Sequence, residues 1–257
     1  MRTLFCLCIT TFMLVFAPFV MAQKVVFQDD FSKDLSQWKV LVKDTVNGTD
    51  WTVHDGFLDS GNGDTNPEPL AVMAGDPSWT DIILEADGTV TAAGQGTGYL
   101  QFMVRMKDTQ NWYALRYITG DPAALATEGV GGLKTANPEV WLVKRVGGKY
   151  AMLAQEGTAK AVPNVSNSGT DLKGVFIKFK FEVVGDTLKG SIDSGKGYEL
   201  FVQAKDSDLK SGAIGLGQQE YAASFDNVKV TQIVSAPGTA VEPQNKLATL
   251  WSKIKSQ

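Results

Sequence analysis

Aromatic, amide and guanidinium side chains recur between Gly98 and Thr119 at a spacing that could hold a sugar. Tyr99, Gln101 and Arg105 stand two and then four positions apart, so an extended strand would direct them to one face. Rings stack on the apolar C–H faces of sugars, while guanidinium and amide groups bond to their hydroxyls. The stretch therefore indicates a carbohydrate-binding face. The alternative is a solvated sheet, or a face packed beneath a covering loop.

The same stretch predicts a long antiparallel hairpin. The polar residues 107–111 indicate a turn, and residues 112–118 indicate the returning strand. The alternation predicts that four apolar side chains line the buried face: Leu100, Phe102, Val104 and Met106.

The returning strand leaves the composition of the second face open. Its pattern allows two pairs of side chains there, Tyr113 with Tyr117 or Trp112 with Arg116. A later strand, residues 140–146, carries a further tryptophan. We therefore predict a ligand-binding set with these members: Tyr99, Gln101, Arg105, Trp112, Tyr113, Arg116 and Trp141.

The first 22 residues have the composition of a secretory signal. Arg2 supplies a positive charge, an apolar run spans residues 4–20, and residues 20–22 suit cleavage by signal peptidase. Polar residues and Pro18 within the run disfavour the alternative, an uncleaved membrane anchor. We expect a mature chain that begins at Gln23 and is secreted, to the periplasm or the extracellular space.

Composition excludes several kinds of catalytic site. Both cysteines, Cys6 and Cys8, lie within the predicted signal, so the mature chain would carry no disulfide and no cysteine nucleophile. His54 is the one histidine, and serine triads and most zinc sites need histidine. We interpret it as a structural residue beside the Asp55-Gly56 turn. The net charge is −4 without a basic patch, so nucleic acid is not an expected partner.

The pattern of short apolar runs and turns predicts an all-β fold. Roughly a dozen strands of alternating character are separated by turn signals, and no amphipathic helix interrupts them. We therefore predict an antiparallel β-sandwich, or jelly roll, as one domain over residues 23–233. The longest irregular segment, residues 120–138, is expected at the rim of any binding groove.

Residues 234–257 have a different composition. A linker rich in proline and alanine leads to a predicted short helix over residues 246–255. One apolar stripe follows helical spacing: Leu247, Leu250, Trp251 and Ile254. The helix either docks on its own domain or frays, or it binds a protein partner or attaches to a surface.

Several motifs occur in an order that resembles a known family. The opening residues 29–38 and 51–58, the central hairpin, and the closing residues 212–216 and 224–230 are similar to concanavalin A-like lectin/glucanase domains, the laminin G-like jelly rolls of secreted bacterial proteins. The resemblance covers roughly residues 24–232. It implies two sheets of six or seven strands, adjacent first and last strands, and a concave face that often binds glycans.

The resemblance also implies a calcium site. In several relatives Ca²⁺ lies on the convex side, and the corresponding ligands here would be Asp29 or Asp30 together with Asp226. Calcium takes six to eight oxygen ligands, so carboxylates at these positions suit it. The alternative is that Asp226 and Asn227 only form a turn that caps backbone donors.

The carboxylates favour a binding protein over an enzyme. Glucanases of this fold carry two glutamates and an aspartate on one strand, which suits retaining hydrolysis; only Glu85 and Asp87 match, and the second glutamate is missing. Residues 51–58 also resemble a 3-keto-disaccharide hydrolase-type domain, but no catalytic motif of that family is found. A module that binds protein through its terminal helix is the third alternative. We expect a secreted, non-catalytic carbohydrate-binding module.

Overall fold

The computed structural model describes residues 21–46, 48, 50–61, 68–93, 98–119, 139–157, 175–193 and 195–235. These residues form fifteen β-strands and no helix. Within these ranges, no helix is long and apolar enough to span a membrane. The predicted terminal helix and the linker beyond Ser235 lie outside the described residues.

The first sheet has eight strands. Its order is β13-β12-β11-β6-β15-β4-β3, with β1 paired to β15. The strands are β1 (Met21–Asp29), β3 (Thr52–His54), β4 (Phe57–Asp59), β6 (Ile82–Ala93), β11 (Ile177–Val184), β12 (Thr187–Asp193), β13 (Tyr198–Lys205) and β15 (Tyr221–Ser235). The first and last strands are therefore adjacent, as the resemblance implies, whereas the sheet has one strand more than the six or seven that the resemblance implies.

The second sheet has seven strands. Its order is β10-β9-β8-β7-β14-β5-β2. The strands are β2 (Trp38–Val42), β5 (Leu70–Ala74), β7 (Gly98–Asp108), β8 (Asn111–Thr119), β9 (Glu139–Val146), β10 (Lys149–Gly157) and β14 (Ala213–Gln219). Its strand pairs are antiparallel, and the predicted central hairpin is β7–β8.

A hydrophobic core fills the space between the two sheets. Phe102 of the second sheet stacks on Phe179 of the first, with ring centroids 4.3 Å apart, and meets Phe225 edge-on at 5.7 Å. All three rings are buried. Burial of such side chains contributes about 1.5–3 kcal/mol each relative to leaving them exposed. The predicted antiparallel β-sandwich is confirmed.

The predicted hairpins follow their turn residues. Asp55 and Gly56 connect β3 to β4 with φ angles of 51° and 81°, the left-handed conformation that Asp-Gly turns adopt readily. His54 ends β3 with an exposed side chain. Gly147 and Gly148 connect β9 to β10 in the same way, at 57° and 79°.

The first and last strands each extend two residues beyond residues 23–233, the predicted domain. Strand β1 begins at Met21, within the segment predicted as a signal, and β15 continues to Ser235, within the predicted linker. The chain from Gln23 to Ile233 forms one compact unit.

Candidate functional site

The outer face of the second sheet carries the predicted ring cluster. A group of buried side chains lies on the side of this sheet that is turned away from the core: Ala71, Tyr99, Met103, Met106, Trp112, Ala114, Ile118, Trp141 and Val143. Tyr113 and Tyr117 instead belong to the core between the sheets. The alternative that the sequence left open is therefore settled in favour of Trp112 and Arg116.

Arg116 is the centre of this face, which we call the Arg116 face. Its guanidinium carbon lies 3.9 Å from the ring centroid of Tyr99, 5.5 Å from Trp112 and 5.4 Å from Tyr150. Its Nε donates to Oε1 of Gln101 across 3.3 Å. The strand register produces this grouping, because Gln101 and Trp141 are both direct cross-strand neighbours of Arg116.

Two more polar groups border the Arg116 face. The indole N–H of Trp141 donates to Glu139 across 2.6 Å. Arg145 donates to Glu68 at 2.7 Å and to the carbonyl of Thr109 at 2.9 Å. Planar donors, carboxylates and rings therefore share one side of the sheet, which is the set of groups that bonds hydroxyls and stacks on sugar rings.

The Arg116 face is not an open platform in this structure. Tyr99, Arg116 and Trp141 are fully buried, and Trp112 is 2% exposed. The cavity beside Trp112 and Gln101 measures about 10 Å³, which is room for about one water molecule. A saccharide can therefore reach these groups only if the face opens.

Arg105 lies apart from this face because of a β-bulge. The register between β7 and β8 shifts after Val104, and Arg105 has a φ of 48°. Its guanidinium donates to the carbonyls of Leu209 at 2.8 Å and Gly185 at 2.7 Å. Arg105 thus ties strands and loops together, and we remove it from the candidate ligand set.

The bulge also corrects the predicted alternation. Met106 was expected on the core face with Val104, but it joins Met103 on the outer face. An extra residue in a strand inverts the faces of all residues that follow it.

Tyr113 also leaves the candidate set. It is fully buried in the core, its hydroxyl donates to Asp206 across 2.5 Å, and the hydroxyl accepts the backbone N–H of Leu209 at 3.0 Å. Lys144 donates to the same Asp206. These bonds fasten the loop after β13 to the second sheet, so the role of Tyr113 is structural.

The predicted calcium ligands lie near one another at the first sheet. The negative charges of Asp87, Asp30 and Asp29 act on Asp226. Burial, and then these carboxylates, raise the pKa of Asp226 above its usual value. Asp226 accepts the backbone N–H and the side-chain amide of its neighbour Asn227, as the turn alternative also predicted.

An open cleft on the first sheet was missed by the sequence analysis. It has a volume of about 890 Å³ and is lined by strand residues and by the loop after β1. Strand register places one row of polar side chains across its floor: Asp87, Lys178, Asp193 and Tyr198. The sequence does show alternating polar residues in each of these four strands. Only the order of the strands in the sheet shows that these residues lie side by side.

Glu85 and Asp87 line this cleft side by side on β6. Glu85 pairs with Lys229 at 2.5 Å. Burial, and then the negative charges of Glu85 and Asp87, raise the pKa of Tyr198 above its usual value. Asp87 accepts the amide of Asn227 at 2.9 Å. The glucanase pattern for retaining hydrolysis needs a further glutamate on the same strand, and Gly88, Thr89 and Val90 follow Asp87 instead.

Comparison with known proteins identifies the fold. No family model and no curated protein matches the chain. Solved structures do: the CBM2 module of the evolved Dit protein of Lactobacillus casei BL23 phage J-1 is 8% identical at a TM-score of 0.55, covering 83% of this chain and 97% of that one. A Bacillus subtilis protein of unknown function with a galectin-like fold is 13% identical at 0.52, covering 84% and 100%.

An enzyme domain has the same architecture. The catalytic domain of an endo-1,3-beta-glucanase (laminarinase) from Thermotoga petrophila RKU-1 is 11% identical at a TM-score of 0.52, covering 83% of this chain and 99% of that domain. Together with the two sheets described above, these alignments show that the chain has the concanavalin A-like β-sandwich fold.

Proposed function

We propose that this chain is a secreted, non-catalytic carbohydrate-binding protein whose ligand contacts the Arg116 face. The observation that carries the proposal is the grouping of Tyr99, Trp112 and Tyr150 around one guanidinium, with Gln101 bonded to it. Because their sequences are so different from this one, the similar structures support the fold alone. The choice of ligand therefore rests on the side chains of this face.

The chemistry of the face suits a neutral sugar. The guanidinium has donors in a fixed plane, and the Gln101 amide offers both a donor and an acceptor. The rings supply flat apolar surfaces on which the C–H face of a sugar stacks. Trp141, the cross-strand neighbour of Arg116, adds a fourth ring. The burial of these groups makes opening of the face part of the proposal.

Substitution of the rings tests the proposal. Trp112→Ala removes a stacking surface, and we expect binding of neutral glycans on an array to fall at least about tenfold, because a buried aromatic contact contributes about 1.5 kcal/mol or more. Arg116→Lys keeps the charge but loses the planar fork, so it should weaken the same binding.

The matched control is Phe57→Ala. Phe57 stacks on Phe176 at 5.1 Å on the first sheet, so this change removes a ring that lies off the Arg116 face and should leave glycan binding intact. Circular dichroism verifies that each variant folds. Wild-type binding that persists unchanged in folded Trp112 and Arg116 variants would contradict the proposal.

We also propose that Ca²⁺ binds near Asp226 with Asp29 or Asp30. The mutual repulsion of the carboxylates around Asp226 supports this proposal, because a divalent cation offsets it. Among the residues that the structure describes, no three acidic or histidine side chains are already arranged as a metal site. The remaining ligands would be backbone oxygens or water, which calcium accepts.

Thermal unfolding tests the calcium proposal. At a Ca²⁺ concentration about a hundredfold above the dissociation constant, we expect about 2.7 kcal/mol of added stability compared with chelator-treated protein. Asp226→Asn should abolish the increase, whereas Asp55→Asn, in the exposed turn of another hairpin, should retain it. Equal melting temperatures with Ca²⁺ and with chelator would exclude the ion.

A further inference from the structure

The open cleft on the first sheet has the size and the lining of a ligand site. Its volume of about 890 Å³ lies within the range of about 300–1,000 Å³ that is usual for small-molecule sites. Tyr198 forms one end of its floor and Asn227 lies towards the other. We call it the Tyr198 cleft. It lies on the opposite sheet from the Arg116 face.

Negative charge predominates in the Tyr198 cleft. Six carboxylates and three lysines line it: Asp29, Asp30, Asp34, Glu85, Asp87 and Asp193, with Lys33, Lys178 and Lys229. Lys229 is paired with Glu85, and Lys178 lies between Asp87 and Asp193 in the cross-strand register. The three lining lysines leave three carboxylates in excess, and Lys180, whose ammonium lies against the Tyr198 ring, reduces the excess to two in the calcium-free chain. A cationic ligand would offset that excess.

The ring of Tyr198 already contacts an ammonium group of the protein itself. Nζ of Lys180 lies 4.6 Å from the ring centroid of Tyr198, which is the geometry of a cation–π contact. The negative charges of Glu85 and Asp87 act on the Tyr198 hydroxyl. Ring, hydroxyl and carboxylate thus form one surface that attracts a positive charge and offers hydrogen bonds beside it.

We propose that the Tyr198 cleft binds sugars that carry a free amino group. The carbohydrate part of this inference rests on the proposed function, whereas the amino group is inferred from the charge of the cleft. The walls suit hydroxyl-rich ligands because they carry short polar groups, such as Ser32, Ser36 and Gln37. Only Ala86 and Val228 are apolar, so the side chains of a basic peptide would find little apolar surface.

A pair of oligosaccharides of equal length tests the proposal. Calorimetry on the full chain, treated with chelator so that Ca²⁺ does not occupy Asp29 or Asp30, would compare a glucosamine oligomer, which is cationic, with its N-acetylated form, which is neutral. We expect the glucosamine oligomer to bind at least about tenfold more tightly, because an ion-paired hydrogen bond is lost on acetylation. High salt should reduce this difference, since the cleft is open to solvent.

Cleft variants locate the binding. Asp87→Asn preserves shape and removes one charge, and Tyr198→Ala removes the ring; each should lower affinity for the glucosamine oligomer at least about tenfold. The control Glu182→Gln removes a carboxylate that pairs with Lys189 on the same sheet outside the cleft, and should leave affinity unchanged. Melting curves show that the compared variants are folded.

The outcomes separate this inference from the proposed function. Equal affinity for both oligomers, or full affinity in folded Asp87→Asn and Tyr198→Ala variants, would overturn the inference. Preferential binding of an oligolysine peptide over the glucosamine oligomer would also overturn it. Loss of neutral-glycan binding in Trp112→Ala, with glucosamine binding retained, would support both sites. Loss of glucosamine binding only in Trp112→Ala would support the Arg116 face alone.

Discussion

One backbone dihedral angle at Arg105 decides which side chains share the outer face of the second sheet. Before this residue, the strict alternation of β7 holds, so Tyr99 and Gln101 lie on the face that the sequence predicted. After it, the alternation is inverted. A positive φ at an arginine has no signature in a single sequence, because most residues with that side chain adopt a negative value. The position of Arg105 therefore required the structure.

Tyr113 provides a prediction about pH. Burial, and then the hydrogen bond to Asp206, raise the pKa of Tyr113 from 10.0 to about 12. The unfolded chain loses this proton first as the pH rises, so the stability contributed by the neutral hydroxyl is complete below pH 10 and is lost between pH 10 and about 12.

Tyr113→Phe should therefore remove part of the alkaline loss of stability. Denaturant unfolding at several pH values across that range measures the loss of stability. Asp206→Asn is the companion variant, because it keeps a hydrogen-bond acceptor for Tyr113. At neutral pH, Tyr113→Phe should cost about 1–3 kcal/mol, since the Leu209 N–H loses its buried acceptor. If the free energy of unfolding fell equally with rising pH in the wild type and in Tyr113→Phe, the role given to this hydroxyl would be wrong.

Turns and strand periodicity made most elements predictable. The Asp55-Gly56 and Gly147-Gly148 turns are local signals that need no tertiary context, and the strands on either side formed as expected. What the sequence could not provide was the pairing of distant strands. The row that joins Asp87, Lys178 and Tyr198 depends on β6, β11, β12 and β13 being neighbours, and no local pattern encodes that order.

Gly212 lies directly against the backbone of β7 at the Arg105 bulge, so a substitution there tests how closely the two segments pack. A Cβ added at Gly212 would lie 2.2 Å from the carbonyl carbon of Arg105 and 2.6 Å from its oxygen. Backbone atoms cannot move aside as a flexible side chain can, so Gly212→Ala should destabilise the fold by about 3 kcal/mol. The adjacent Ser211→Ala should change stability by less than about 0.5 kcal/mol. Chemical denaturation compares them, and equal midpoints would show that the contact is looser than described.

At the scale of the whole molecule, the shared core predicts that the two sheets unfold together. Phe102 contacts both Phe179 and Phe225 of the opposite sheet, so Phe102→Leu should weaken both sheets by a similar amount, about 1–3 kcal/mol. Hydrogen exchange of the slowest amides in β8 and β11 measures each sheet separately. A change confined to β8 would show that the second sheet opens independently.

The position of β15 has a consequence for biosynthesis. The last strand lies in the interior of the first sheet, between β6 and β4, and also pairs with β1. A nascent chain therefore lacks the middle of that sheet until residue 235 has left the ribosome, and contacts between strands so distant in sequence form slowly. Until then, the edges of β6 and β4 that face β15 are unpaired, so the first sheet is completed only after all its other strands have been synthesised.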